Sequence, residues 1–387
     1  MKTAPRLIGS ILALLLAGCG GTAAPTSNTA AKASGAPAAS GSWDAIVAAA
    51  KKEGTVTIYA QPGTTYRQVI VTDFEKAYPD IKVDATFALP AERTSKVTLE
   101  RQAGQYLVDL EVGGTTDAVT TMKPAGMLAP LQPELALPEV LDQNAWFQHK
   151  LWWADSAEPY TTLMFVGSVQ GVMFVNTKMV DASALKSYAD LLDPKWKGKI
   201  ASTDVRNTGT GAAAARFVYQ QKDLGPAWFK KLFSTQDVTL SNDQSQLTNW
   251  VAQGTYPIGL FLSPSEVENA AKQGLPVKMV PTDQFKEGAS IGPANGALIM
   301  MDRAPHPNAA KVYIHWMLSK EGQMAWQREI GDNSLRTDIP KDSVDPALVP
   351  KDGVSYVNSG SEQFSRAFGP KTLAAPINEG LQAAGKA

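Results

Sequence analysis

A chain of 387 residues with 44% hydrophobic content is long enough to bury one large core or two ordinary ones. Its formal net charge is -1, from 36 Lys and Arg against 37 Asp and Glu, so neither a basic stripe for nucleic acid nor an acidic tail for a cationic partner is expected. The single cysteine, Cys19, excludes an internal disulfide.

The first predicted element is a targeting segment. Lys2 and Arg6 precede an apolar run from Leu7 to Ala17, followed by Gly18 and Cys19. The run is too short to remain as a membrane-spanning helix, so residues 1–18 read as a secretory signal. The stretch LAGC is similar to the bacterial lipoprotein signal, which implies cleavage before Cys19 and a lipid on its sulfur. Residues 19–42 continue with Ala, Ser, Thr, Gly and Pro and nothing large to bury, the composition of a disordered tether. The folded part is then expected on a leash at the outer face of the cytoplasmic membrane, held by the lipid alone.

Folded sequence starts at Ser42. SWDAIVAAAKKEG predicts a helix with Trp43, Ile46, Val47 and Ala50 on one face and Gly54 as its stop. TVTIYA predicts a strand over 55–60, and the next helix sets Val69, Ile70, Phe74 and Ala77 on one side. A strand over 81–88, a helix through AERTSKVTLERQAG and a strand in YLVDLEVGG follow. Strand–helix–strand alternation implies a parallel sheet with helices on its faces. Residues 160–176 are strand-rich and lead to a second α/β block. There ALKSYADLLDPKWKGKI predicts a helix and a turn, GAAAARFVYQQK a helix, and QSQLTNWVAQG, YPIGLFL and SEVENAAKQG a helix, a strand and a helix. GPANGALIMM then reads as an apolar strand, and residues 308–331 as a long helical region.

Several segments taken in order resemble the extracellular solute-binding proteins of bacterial ABC importers, in the branch that contains the ferric-iron-binding proteins. They are VTIYA, LAPL at 128–131, GVMFVNTKMV at 171–180 and, most specifically, YADLLDPKWKGKIA at 188–201. The resemblance covers residues 43–340. It implies a type II periplasmic-binding-protein-like α/β fold: two lobes, each a mostly parallel mixed sheet flanked by helices, a hinge, and a cleft that closes on a ligand. Lobe one is placed at 43–169 and lobe two at 170–288, with 289–387 returning to lobe one and ending in helices. It also implies a membrane permease as partner and a monomer that binds without chemistry. Iron-binding members place two adjacent tyrosines after the strand that reads YPIGLF here. Those places fall on Pro264 and Ser265, neither of which can give a phenolate, and His149, His306 and His315 lack a ligand spacing. No metal or cofactor is therefore expected, and the solute is expected to differ from iron.

In open α/β sheets, ligands bind beyond the carboxyl ends of strands. The helix start in STDVRNTGTGAAAARF is an anion site by construction, with Asn207, Thr208 and Thr210 offering polar side chains, Gly209 and Gly211 allowing close approach, and Arg206 available to clamp a carboxylate or phosphonate. Gln61, Thr64, Thr65 and Tyr66 follow the first strand, and Gly114 and Thr115 the third. Gln170 and Asn295 sit where the chain passes between lobes, and Arg336 can reach the cleft from the tail or form a structural salt bridge. These residues predict a small anionic organic solute, with ferric iron or an iron complex as the main alternative, then a neutral polyol or a cationic polyamine. The rival class is a serine hydrolase using Ser290 in GASIG, but the segment before it is polar and Pro293 follows, which does not fit a strand–elbow–helix. A plain surface adhesin would lack a cleft.

Overall fold

The computed structural model describes residues 42–206, 211–368 and 371–386. Helix α1 (Trp43–Glu53) leads to β1 (Thr55–Ala60); the Gly54 backbone between them is left-handed, with φ 69°. Then come α2 (Thr64–Arg67), a π-helical stretch Gln68–Asp73 and α3 (Phe74–Ala77), which run on as one helix. Next are β2 (Lys82–Phe87), α4 (Pro90–Gln102), β3 (Leu110–Gly113), α5 (Pro138–Leu141), β4 (Trp152–Trp153) and β5 (Thr162–Met164). Two residues of β6 (Ser168–Val169) carry the chain across to β7 (Met173–Asn176).

The second block contains β8 (Ile200–Thr203), α6 (Ala212–Gln220), α7 (Gly225–Thr235), β9 (Thr239–Ser241), α8 (Gln244–Gln253), β10 (Ile258–Leu260), α9 (Pro264–Lys272) and β11 (Val277–Met279). The chain returns through β12 (Ala289–Gly292) to β13 (Ala297–Met300), then runs into α10 (Pro307–Leu318) and α11 (Lys320–Ile330). It ends with β14 (Tyr356–Asn358), α12 (Glu362–Arg366) and α13 (Ala374–Ala383).

The first sheet has the order β2-β1-β3-β13-β5-β4, parallel among its first three strands and antiparallel beyond. The second has the order β11-β7-β10-β8-β9, with β10, β8 and β9 parallel. A third, small sheet joins β14, β12 and β6. Two of its strands, β6 and β12, are the passages between the large sheets, and they pair antiparallel through Ile291–Val169 and Gly292–Ser168. Two backbone passages tied to each other make a hinge, where small φ/ψ changes swing one lobe against the other.

Each large sheet has its own apolar core, as a continuous β-rich face demands. Val56, Ile58, Leu110, Val112, Leu163 and Leu298 meet α1, α10 and α11 through Ile46, Tyr313 and Trp326 on the first sheet. On the second, Val175, Ile200 and Ile258 meet Phe217, Phe229 and Phe233, and the opposite face packs Phe174 and Ala201 on Leu247, Val251 and Val267. The tail belongs to this second core: Phe364, Ile377 and Leu381 join it, and Gly380 lets α13 approach α7 so closely that a Cβ there would lie 2.7 Å from the Lys230 carbonyl.

Two elements differ from the sequence expectation. The segment 182–196 forms three short 3-10 turns instead of a helix. Asp181, Ser187 and Asp193 accept from the backbone N–H groups of Ser183, Ala189 and Lys195, so side chains satisfy the backbone locally, and Pro194 cannot sit inside a helix. The long helical region after 307 is two helices, because the Ser319 side chain accepts from Gly322 N and starts a second one. Among the described residues, no helix is long and apolar enough to cross a membrane.

Candidate functional site

A cavity of about 720 Å³ lies between the two large sheets. Its walls come from six places in the chain: the turn after β1 (Gln61, Thr65, Tyr66), the passages at 168–171 and 292–295, the start of α6 (Gly211, Ala213, Ala214), the start of α9 (Leu262 to Ser265, then Glu268), and the end of α11 (Ile330, Gly331, Asp332). Pro90 at the start of α4 and Leu348 from the tail complete it. The wall is a set of strand and helix ends because β1, β8 and β10 all point their carboxyl ends at the hinge.

Among the described residues, two helix starts open into the cavity without side-chain caps. Gly211 is the N-cap of α6, left-handed at φ 76°, and has no side chain to give. A Cβ at this position would lie 2.2 Å from the Phe261 carbonyl oxygen, so only glycine fits. The N-cap of α9 is Ser263, whose Oγ lies 2.9 Å from Ser265 Oγ rather than on a backbone N–H. Each start brings uncommitted N–H groups and the positive end of a helix dipole to the wall.

Facing them is a polar group built on the first lobe and the hinge. Asn295 Nδ2 donates to Tyr66 Oη at 3.0 Å, and the Tyr66 ring packs edge-on to Trp326 at 5.8 Å. Burial pushes the Tyr66 phenol up to about 12, with the Asp332 charge adding to the rise and the Asn295 bond opposing it. Asp332 has its carboxyl raised to about 7, chiefly by burial; nearby Trp326 draws it down and Glu268 pushes it up. Gln170 accepts from Ser290 Oγ at 3.2 Å, which leaves its amide nitrogen for a partner. Ala294 on the wall, and Phe261 next to the wall residue Leu262, hold positive φ of 46° and 59°, backbone strain of the kind that accumulates at binding sites.

The residues singled out from the sequence are distributed as follows. Gln61, Thr65, Tyr66, Gln170, Gly211 and Asn295 line the cavity together. Thr64 is exposed beside Thr65 and outside the lining. Gly114 and Thr115 stand behind it, Gly114 against the Ala294 carbonyl and Thr115 buried. Arg206 does not enter the cavity: its Nε and Nη2 reach the Asp204 carboxylate at 2.8 and 2.6 Å, and its Nη1 reaches Asn378 in α13. The clamp expected of it is occupied by a near neighbour of the chain. Arg336 is buried, bonded to Asp338 at 2.8 and 2.9 Å and to the Leu318 carbonyl, which makes it a structural salt bridge. Asn207, Thr208, Gly209 and Thr210, like Cys19, lie outside the described residues.

Sequence reasoning missed Asp332, Glu268 and Ser263. The signal for Asp332 was the Gly-Asp pair that ends the long helical region, where a helix stop turns the next side chain off the axis. Pro264 and Ser265, noted only as the places of absent tyrosines, are part of the wall. Among the described residues no three His, Cys, Asp or Glu side chains gather into a metal site. Ser290 is buried within β12 on Gln170, while His306 is bonded to Asp109 and His315 accepts from Ala136 N.

The chain is similar to proteins of this architecture throughout. Its fold matches that of the periplasmic binding protein AfuA from Actinobacillus pleuropneumoniae with fructose-6-phosphate bound, at a TM-score of 0.60 and 20% identity, over 87% of this chain and all of that one (100%). It matches iron-bound HitA from Pseudomonas aeruginosa at a TM-score of 0.61 and 18% identity, over 84% of this chain and 99% of that one. An uncharacterized protein of Haemophilus influenzae is 23% identical over 291 residues, 73% of this chain and 79% of that protein. The profile described as bacterial extracellular solute-binding protein matches residues 69–352. With two sheets, a paired-strand hinge and a polar cavity between them, the chain belongs to the bacterial extracellular solute-binding protein family.

Proposed function

We propose that this protein is a lipid-anchored receptor that takes a small organic solute bearing a carboxylate or phosphonate into the interlobe cavity and delivers it to an ABC permease. The observation that carries the ligand class is the pair of helix starts, α6 at Gly211 and α9 at Ser263, that face the cavity without side-chain caps. An anion placed there gains N–H bonds and the helix field together, with no need for Arg206. That AfuA was solved with fructose-6-phosphate bound supports an anionic solute. Closing the hinge would then take the solute out of water and strengthen those bonds.

A thermal-shift screen of carboxylates and phosphonates on the purified protein tests the ligand class. Members that bind should raise the melting temperature, and Ala213→Leu, which fills the cavity beside the start of α6, should abolish the rise. A screen that finds only neutral sugars would contradict it. For the anchor, the account expects fatty-acid labelling of the wild type and none of Cys19→Ala, with the variant released from the membrane. Equal labelling of both would remove the lipid from the proposal.

A further inference from the structure

The charged side chains on the cavity wall are both acidic: Asp332 from the first lobe and Glu268 from the second. Among the described lining residues there is no Lys, Arg or His. Glu268 has a counter-ion on its outer side, with Lys272 Nζ at 2.7 Å. Asp332 makes no ion pair among the described residues. It sits just past Gly331, the left-handed cap of α11, so the negative end of an 11-residue helix points at the same spot. A third acceptor, Gln61 Oε1, is buried in the wall and meets no donor among the described residues. An unpaired buried acceptor is costly, so Gln61 adds to the two acids a wall group that favours a ligand supplying donors.

Asp332 is also held firmly. Asn333 donates from its amide side chain to the Gly167 carbonyl and from its backbone to Ser168 Oγ, at 3.1 and 2.9 Å. Ser334 N donates to Gln327 Oε1, and Lys341 Nζ ties Gln327, the Ser334 carbonyl and the Arg336 carbonyl at 3.0, 2.7 and 2.7 Å. The segment is therefore bolted to α11 on one side and to the hinge strand β6 on the other. A carboxyl fixed this way loses little entropy on binding.

We infer that Asp332 recognises a protonated amine of the solute, which lies near Asp332 and Glu268 while the acid group occupies the start of α6. The solute is then an amino-carboxylate or aminophosphonate. This rests on the proposed acid-binding role of α6 and adds the amine. The amine also makes closure selective, because two carboxylates from opposite lobes repel as the hinge shuts unless a positive charge separates them.

The test uses two matched sets at pH 8: 4-aminobutyrate, butyrate and butylamine; and 3-aminopropylphosphonate, propylphosphonate and propylamine. Calorimetry on wild type and Asp332→Asn reads the affinities. The amino acids should bind wild type best, and Asp332→Asn should weaken them on the order of 30-fold or more while leaving the amine-free acids unchanged or tighter. Glu268→Gln, where Lys272 already shares the charge, should lose less. A melting temperature at or above that of wild type confirms that Asp332→Asn folds. If butyrate or propylphosphonate binds as tightly as its amino partner, the assignment of Asp332 falls and the acid receptor stands. If the amines alone bind and lose affinity in Asp332→Asn, the acid reading falls and Asp332 stands. If no amine-bearing member binds, the inference is overturned.

Discussion

Replacing Arg93 by Met should cost about 3–5 kcal/mol of stability at neutral pH, because it strands a buried charge. Arg93 and Glu111 are almost fully buried, and Arg93 donates to Glu111 Oε1 from Nε at 3.1 Å and Nη2 at 2.9 Å. A third bond runs from Nη1 to the Ala88 carbonyl at 2.6 Å, tying α4 and β3 to the end of β2. Burial pushes the Glu111 carboxyl up and Arg93 holds it down. Without Arg93 the carboxyl rises further, so the folded state binds its proton more tightly than the unfolded chain does. Stability of the variant should then fall as pH rises above the ordinary carboxylate range and recover in part as pH drops. Urea unfolding at pH 5 and pH 7.5 reads this directly. Adding Glu111→Gln should restore much of the loss. An equal loss at both pH values would mean that lost packing, not the stranded charge, sets the cost.

Asp332 should make the ligand-free protein less stable as pH rises from about 4, the unfolded value, to about 7, its folded value. The sign follows from the direction of the shift: a raised carboxyl binds its proton more tightly in the folded state, so the folded state is favoured at low pH and loses that advantage as the proton leaves. Asp332→Asn removes the ionisation. Its melting temperature should exceed that of wild type at pH 8, and the difference should close as pH nears 4. His306, raised by its bond to Asp109, also loses stability as pH rises, so the comparison must be the difference between the two proteins. A constant difference across the range would mean that Asp332 does not titrate there. A small carboxylate-destabilised cleft is the expected cost of a site held ready for a counter-charge.

Much of this fold was legible because its signals are local. The strand at 55–60, the helix stop at Gly54 and the apolar faces of α1 and α6 follow from periodicity and punctuation alone. The turns at 182–196 were not legible, since Ser, Asp and Pro caps compete with a helical pattern and only packing decides. At the site, Tyr66, Gln170 and Asn295 could be found because they follow strand ends or sit at the passages between lobes. Arg206 misled because a guanidinium beside a glycine-rich helix start looks like a clamp, while Asp204, two residues away, satisfies it instead. Asp332 stayed hidden because its place on the cavity wall depends on α11 ending at the hinge, a contact between segments more than 150 residues apart.

The most direct measurement is native mass spectrometry of the purified protein, set against its denatured mass. The account predicts an added mass that fragments as one small organic molecule with an acid group and an amine. An added iron atom, or a protein that carries no solute and takes up none of the acids and amino acids offered to it, would contradict it.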